Sequence, residues 1–267
     1  MTLEKVERLR RALWTWKQPL TRRPADVGAS VSDLFVWRNS REWRTSFELI
    51  DISALFPGAE DVRERYAIIY FFDLKGQCFL EKRFDLLSSR RQTIELAALI
   101  GCDHGEVGTF AVFHSLTPSV VMEMGAFLAE RGYVSYRYRD APIRAYVHGN
   151  FDATSRGKDG RRELLGGSGV LPREYRLQCE MTGPALYELA LVNSTNAVQQ
   201  TCFQLLSARN GKILRCQETQ LRPGGADLLS FQIDEAESAR VIIKSKVVMA
   251  RPLVFRIQNL KLDVFHG

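Results

Sequence analysis

Short apolar runs separated by turn-forming residues are the dominant pattern along the chain. Residues 201–206 and 213–216 are two such runs, and they flank Asn210-Gly211. Because both turn residues tolerate a positive φ, this arrangement predicts a β-hairpin with a type I′ turn. Residues 73–76 end in glycine and lie at the corresponding place in the first half of the chain. Helical periodicity is scarce, so the pattern predicts a mainly β protein built from antiparallel sheets.

The second half of the chain repeats the pattern of the first half. Three blocks align in the same order: 68–72 with 202–206, 111–115 with 241–245, and 146–149 with 264–267. Self-similarity of this kind is typical of a duplicated structural unit. It predicts two tandem antiparallel β-sandwich domains, at residues 24–150 and 172–267, each folding around its own hydrophobic core.

Two further segments complete the expected organisation. Thr117 and Pro118 fit the start of a helix, and an apolar stripe follows them, so we expect an inserted helix near 118–131 in the first domain. Residues 151–171 are rich in glycine and in charged side chains. That composition predicts a linker or a long exposed loop between the two domains.

The first 23 residues predict a basic amphipathic helix. Apolar residues recur there at helical spacing, and seven Lys and Arg residues accompany only two acidic ones. Most amphipathic helices of soluble proteins pack on their own domain or on a second subunit, which is the first interpretation. The alternative is attachment of residues 3–17 to an anionic membrane surface.

Composition narrows the class of protein. The 267 residues are 45% hydrophobic and 25% charged, which is typical of a soluble globular protein and excludes a disordered or collagen-like chain. The sequence has no apolar leader and no apolar run of the roughly 18 residues that a membrane span needs, so we expect a cytoplasmic location. Five cysteines form no C-x-x-C pair. They are expected to be reduced thiols, several of them in the core.

Three segments of the second half form a series of strands and turns: 221–225, 239–245 and 251–256. Together they resemble the sensory rhodopsin transducer group of small bacterial β-sandwich proteins. The resemblance rests on strand spacing, and it implies a non-enzymatic sandwich that contacts proteins or ligands, often as an oligomer. The inserted helix and the basic N-terminus depart from the group's pattern, so neither a binding residue nor the signalling role is carried over.

One loop offers candidate chemistry for an enzyme. Cys102 and His104 lie close in sequence, and His114 follows ten residues after His104. A thiolate and imidazoles can bind a transition metal, and a Cys/His pair can act as a nucleophile and its base. The spacing matches no known metal signature, the second copy lacks these residues, and common catalytic motifs are absent. A polar loop is therefore the first interpretation, and no cofactor is predicted.

Arginines and tyrosines are interleaved in the segment that follows the predicted helix. In a strand, Arg137 and Arg139 share one face and Tyr138 lies on the other. Exposed arginines can pair with phosphate, sulfate or carboxylate groups, while the competing interpretation is a solvated face over a tyrosine-lined core. The candidate ligand-binding residues are Arg137, Tyr138, Arg139, Arg144, His148, Arg251, Arg256 and His266.

His148 and His266 occupy matching positions of the repeat, each directly before a glycine. Matching positions favour a structural turn, and a paired functional site is the alternative.

The net charge of +6 permits an anionic partner. The sequence therefore predicts a non-enzymatic binding or scaffold protein that contacts an acidic carbohydrate or an acidic protein surface. The alternatives are a metal-dependent or thiol hydrolase centred on Cys102, His104 and His114, and a peripheral membrane protein. No nucleic-acid-binding module is recognised, so nucleic acid is not expected as a partner. Homo-oligomerisation stays open.

Overall fold

The computed structural model describes residues 20–57, 64–87, 90–101, 104–115, 117–149, 151–235, 237–248 and 251–267. Over these residues the protein is mainly β, with 21 strands, two short α-helices and one short 3-10 helix. The prediction of a mainly β protein is confirmed. The predicted N-terminal helix falls almost entirely on residues 1–19, which lie outside the described residues.

Twelve strands and three short helices lie in the described residues between 20 and 164. The strands are β1 (Ser30–Ser32), β2 (Phe35–Arg38), β3 (Trp43–Ile50), β4 (Tyr66–Phe72), β5 (Cys78–Asp85), β6 (Arg91–Glu95), β7 (Val107–His114), β8 (Leu128–Glu130), β9 (Tyr133–Tyr138), β10 (Ala145–His148), β11 (Thr154–Arg156) and β12 (Arg162–Leu164). The helices are a 3-10 helix (Ile52–Leu55), α1 (Ala97–Ile100) and α2 (Ser119–Glu123).

Nine strands follow in the second part of the chain. They are β13 (Ser168–Arg176), β14 (Met181–Thr182), β15 (Ala185–Val192), β16 (Gln199–Ser207), β17 (Ile213–Leu221), β18 (Ala226–Ile233), β19 (Ser238–Val247), β20 (Leu253–Gln258) and β21 (Lys261–His266). Gly211 adopts φ +70 between β16 and β17, and these strands pair antiparallel. The hairpin predicted around Asn210-Gly211 is therefore present. Its turn is not the predicted type I′, because Asn210 lacks the positive φ that this type needs, and five residues, 208–212, separate the two strands.

The strands form five sheets, which we number for reference. Sheet 1 has the order β2-β7-β4-β5, sheet 2 the order β10-β9-β3-β6, sheet 3 the order β13-β19-β16-β17 with β14 also on β19, and sheet 4 the order β21-β20-β15-β18. Sheet 5 has the order β12-β11-β1-β8, and its β1–β8 pair is parallel. The other described strand pairs are antiparallel.

Sheets 1 and 2 have the same strand order as sheets 3 and 4. When the aligned segments are matched, β4 corresponds to β16, β7 to β19, and β9-β10 to β20-β21. The β4–β5 ladder shifts register between Phe71 and Phe72, and the β16–β17 ladder shifts between Leu205 and Leu206. These are aligned positions of the repeat, so the two halves share a bulge as well as a strand order. This is what the sequence repeat predicts.

The hydrophobic interior departs from the expectation of two separate cores. One cluster lies between sheets 1 and 2 and also includes Ala190, Leu253, Phe255 and Ile257 of sheet 4. A second cluster lies between sheets 3 and 4 and includes Val254. Side chains alternate along a strand, and β15 and β20 contribute to both clusters: Ala190 and Phe255 to the first, Leu189 and Val254 to the second. The two central strands of sheet 4 therefore form a wall common to both halves.

Residues 151–171, predicted as a linker, are part of the folded structure. They form β11, β12 and the start of β13, and Ala153 and Leu165 are each 1% exposed. Sheet 5 covers the outer face of sheet 1, where Tyr70 and Phe113 pack with Ala153. The prediction of an exposed linker is wrong. These short strands bury only a few apolar side chains, so the composition of the segment resembles that of a loop.

The helix predicted near 118–131 is shorter than expected. It covers only Ser119–Glu123, and Gly125 follows with a φ of +62 that a helix cannot continue. Residues Leu128–Glu130 then form β8, which pairs in parallel with β1. Strand pairing therefore overrides the helical spacing of the apolar residues after Gly125.

Candidate functional site

The outer face of sheet 2 carries a cluster of arginines. Alternation along the strands points Arg44 of β3 and Arg137 of β9 away from the core, and the two residues lie directly opposite each other in the ladder. Arg144 lies just before β10 and reaches the same face. We call Arg44, Arg137 and Arg144 the arginine face.

The charges of the arginine face are only partly neutralised. Arg144 donates to Glu95 over 2.7 Å and also bonds to the hydroxyls of Ser46 and Ser135. Burial acts to raise the pKa of Glu95, but hydrogen bonds from Arg144 and Ser46 and the nearby guanidinium charges outweigh it, so this pKa lies below its ordinary value. Glu95 is therefore a carboxylate at neutral pH. It forms the only ion pair of the arginine face among the described residues, while Glu48 on the same face pairs with Arg91.

Arg137 is the least satisfied member of the cluster. Its Nε is buried and has no hydrogen-bond partner among the described residues. Its cross-strand neighbour Arg44 is exposed. Like charges placed directly opposite each other are unfavourable, and a buried donor without a partner is costly. An anion bound between the two guanidinium groups would relieve the repulsion.

Two predicted residues do not belong to this surface. Tyr138 is only 6% exposed, and its ring packs on Trp43 with 5.0 Å between centroids. Arg139 lies beyond the end of β9 with a φ of +50 and pairs with Glu42 over 2.5 Å. The prediction that Arg139 shares a face with Arg137 is therefore wrong, because the strand ends one residue before Arg139.

The exposed tyrosines of sheet 2 are different from those singled out in the sequence. Tyr133 and Tyr146 are 52% and 55% exposed. Tyr146 lies opposite Ser135, and Tyr133 precedes Ser135 by two residues, so both rings lie on the face that carries Arg137. Strand alternation would have identified Tyr133 from the sequence, but the bounds of β9 were needed to apply it.

His148 and His266 meet at the seam between sheets 2 and 4. Their rings are 6.0 Å apart, and the Nε2–H of His266 donates to the carbonyl of His148 over 2.9 Å. Burial lowers the pKa of His266 below its ordinary value, against a smaller opposing effect of that hydrogen bond. The structure thus brings together the two histidines that the repeat matched.

A small cavity of about 80 Å³ lies at the same seam. Its lining includes His148, His266, Arg251 and Asp33, and Arg251 donates to the carbonyl of Gly267 over 3.1 Å. The volume is below that of an ordinary small-molecule site. We therefore assign these histidines and Arg251 to the packing of the two halves.

The glycine after each histidine is explained by packing. A Cβ at Gly149 would lie 2.8 Å from Phe35, and one at Gly267 would lie 2.8 Å from Leu177. Both distances are too short for an ordinary contact, so the repeated His-Gly pair has a structural cause.

The remaining arginine of the predicted set lies elsewhere. Arg256 pairs with Asp263 over 3.1 Å. By alternation it shares the face of β20 with Val254, toward the core of the second half. It does not join the arginine face.

The candidates for a metal or thiol centre do not converge. His104 stacks on Phe79 with 3.9 Å between ring centroids. His114 is at the far end of β7, a strand of eight residues that spans roughly 25 Å. There it pairs with Glu130 over 2.7 Å. Cys102 lies outside the described residues, so the structure separates the two histidines of the predicted centre.

The described part of the chain contains no group of three His, Cys, Asp or Glu residues arranged to hold a metal ion. It also contains no helix with the length and apolar character needed to cross a membrane.

The cysteines differ from the expectation of core thiols. Cys78 and Cys216 are exposed, and Cys179 and Cys202 are half-buried. The sulfur atoms of Cys202 and Cys216 lie 3.6 Å apart on neighbouring strands.

Comparison with known proteins does not assign a family. No family model matches the chain, and no curated protein matches it. A chain of the T13 particle of infectious bursal disease virus is similar at 12% identity, over 81% of this chain and 52% of that chain, with a TM-score of 0.17. A chain from the Gx strain of the same virus is 11% identical, over 80% and 53% of the two chains, with a TM-score of 0.16.

This chain spans about half the length of those viral chains, and such low scores carry no argument about fold or function. The resemblance to the sensory rhodopsin transducer group stays a prediction.

Proposed function

We propose that this protein consists of two tandem β-sandwich domains and is a non-enzymatic binding protein that holds an acidic carbohydrate on the arginine face. The two-domain arrangement is supported by the shared strand order of sheets 1 and 2 with sheets 3 and 4. The binding function rests on one observation. Arg44 and Arg137 lie side by side on an outer face, and neither forms an ion pair within the described part of the chain.

The arrangement of charge supports an anion as the ligand. The fold gains nothing from opposing two guanidinium groups across β3 and β9, since like charges at this position are destabilising. A carboxylate or sulfate placed between Arg44 and Arg137 would receive hydrogen bonds from both planar guanidinium groups.

The tyrosines support a sugar as the body of the ligand. Tyr133 and Tyr146 present rings that are about half exposed beside the arginines. An aromatic ring offers an apolar surface to the C–H face of a sugar and a hydroxyl for hydrogen bonding. An interface with an acidic protein would need a well-packed apolar centre. The middle of this face is instead polar, since it is occupied by Ser46, Ser135 and Glu95.

The binding test uses a defined probe and a charge-matched control. Isothermal titration with oligogalacturonate should show binding to the wild-type protein. The R44E/R137E variant should lose about tenfold or more in affinity, because two charge-assisted contacts become repulsive. The R209E/R222E variant changes net charge equally at exposed positions of the second half and should bind like wild type.

Two outcomes would overturn the proposal. One is equal affinity of the R44E/R137E variant and its control. The other is an absence of binding to every acidic oligosaccharide tested, including sulfated ones. Tyr146→Ala separates sugar stacking from charge, since it should weaken oligogalacturonate binding without altering the urea midpoint.

The other predicted functions gain no specific support. His104 and His114 are too far apart for one hydrolase centre. Membrane attachment through residues 3–17 stays a prediction because that segment lies outside the described residues, and liposome sedimentation with and without it is the test. The cytoplasmic location and oligomeric state also stay predictions.

A further inference from the structure

A second cationic site lies on the other side of the first half, between the end of sheet 1 and sheet 5. It is a cavity of about 340 Å³, which is within the range of small-molecule sites. Its polar lining consists of Arg156, Lys158, Ser30, Tyr66, Ser115 and Thr117, together with His114. We call it the basic cavity. No Asp or Glu among the described residues lines it.

Lys158 brings an ammonium group to the cavity without a strong partner. Its side chain crosses Gly28 so closely that a Cβ there would lie 2.2 Å from the lysine Cε. The Nζ atom is 4.0 Å from the thioether sulfur of Met122, a weak acceptor. Asp26 instead holds the backbone N–H of Lys158 over 2.8 Å. The backbone is therefore fixed. The ammonium contributes a minor part of the lowering of the pKa of Asp26, but it forms no ion pair among the described residues and is left for another acceptor.

Arg156 adds a second cation to the same wall. Its Nε donates to the Tyr70 hydroxyl over 3.1 Å, which orients the guanidinium group. The structure shows no ion pair of Arg156 with a described residue. Its cross-strand neighbour is Arg162, whose guanidinium lies over the Tyr70 ring at 4.4 Å. As on the arginine face, two arginines are placed opposite each other, which raises the local positive potential.

The hydroxyls of the cavity are arranged as donors. Ser30 Oγ accepts the backbone N–H of His114 over 3.1 Å, and Ser115 Oγ accepts that of Tyr66 over 3.0 Å. A hydroxyl that accepts from the backbone keeps its own proton to donate. The side chain of His114 pairs with buried Glu130 over 2.7 Å and so fixes the end of β7. The cavity therefore combines two cations with hydroxyl donors on a rigid frame.

We propose that the basic cavity binds a small organic phosphate or sulfate ester of monosaccharide size. A tetrahedral oxyanion accepts hydrogen bonds from several directions, which matches Lys158, Arg156 and the serine hydroxyls. The volume leaves room for a hydroxylated body beside the anion. Thr117, whose hydroxyl donates to the carbonyl of Gly28 over 3.1 Å, keeps acceptor capacity for a ligand hydroxyl. This site is independent of the arginine face.

Titration calorimetry of the 267-residue chain tests the proposal with four probes: glucose 6-phosphate, glucose 6-sulfate, inorganic phosphate and glucose. We expect one of the two esters to bind more tightly than inorganic phosphate, and glucose not to bind. K158M keeps the apolar stem over Gly28 but removes the ammonium. It should lower ester affinity about tenfold or more, the loss expected for a charged hydrogen bond.

The controls separate this site from the proposed function and from misfolding. R44E/R137E should retain ester binding, and K158M should keep the wild-type urea midpoint because its stem packing is unchanged. R156Q provides a second variant with the same expected direction. The proposal is overturned if neither ester binds, or if inorganic phosphate binds at least as tightly as the tighter ester. It is also overturned if K158M and R156Q bind the ester like wild type.

Discussion

Truncation of Phe255 tests whether the two halves share a hydrophobic wall. Phe255 belongs to β20 in the second half, yet its ring packs edge-on against Trp43 and Tyr136 of the first half, with centroids 5.2 and 4.9 Å apart. The side chain is fully buried. Phe255→Ala should cost about 3–5 kcal/mol from lost burial and the cavity left behind. For a chain of this size that corresponds to a melting temperature lower by roughly 6–20 °C.

Tryptophan fluorescence makes the test specific to the first half. All four tryptophans lie within the first 43 residues, so a W14F/W16F background leaves only Trp37 and Trp43, both in the core between sheets 1 and 2. Urea unfolding is followed by this fluorescence and by far-UV circular dichroism, which reports both halves. In Phe255→Ala both signals should shift to lower urea together.

Phe231→Ala is the matched control. Phe231 lies in the core between sheets 3 and 4, where it stacks on Tyr187, and it is absent from the first cluster. It should destabilise the protein without changing the native emission of Trp43, whereas Phe255→Ala should change that emission. If Phe255→Ala leaves the fluorescence midpoint where it was and shifts only the dichroism, the halves unfold separately and the shared-wall argument fails.

Three further predictions concern charge, pH and backbone packing. Glu188→Gln leaves buried Arg38 without its carboxylate partner, now 2.7 Å away, and should cost about 3–5 kcal/mol in urea unfolding. A loss below 1 kcal/mol would contradict this. Burial holds the pKa of His266 below 6.5, so as pH falls below 6.5 the unfolded chain takes up the proton first and stability is lost until the folded pKa is passed. Between pH 7 and pH 5 the urea midpoint of His266→Gln should fall less than that of the wild-type protein. An equal fall in both would show that His266 is not the source of the pH dependence. Gly108→Ala places a Cβ 2.2 Å from a carbonyl oxygen of β4, whereas Gly211→Ala meets nothing within 4 Å and carries only the cost of a φ of +70. Gly108→Ala should lower the melting temperature more than Gly211→Ala does. The reverse order would contradict the close approach at Gly108.

The candidate site was only partly visible in the sequence. Arg137 and Arg144 were identified because arginines interleaved with tyrosines stand out in a strand pattern. Arg44 was missed, since nothing near it in sequence indicates that β3 lies beside β9. Arg139 was misplaced because the end of a strand depends on the partner strand rather than on local composition.

The basic cavity shows the same limit more strongly. Its polar residues come from β1, β4, β7, β11 and the segments that follow β7 and β11. Lys158 and Arg156 fall within a segment whose glycines and charges predict a linker. The pairing of β11 with β1 moves these two residues to the wall of a cavity. Local pattern carries no information about such long-range pairing.

The β character, the repeated order of strands and the hairpin around Asn210-Gly211 follow from the sequence pattern. These features depend on alternation and turn chemistry, which act over a few residues. Three features emerge only from the folded chain: the central strands of sheet 4 contribute to both hydrophobic clusters, sheet 5 covers sheet 1, and particular charged side chains meet. Those outcomes depend on how complete sheets pack, and burial of a face is a property of its neighbours rather than of the strand that carries it.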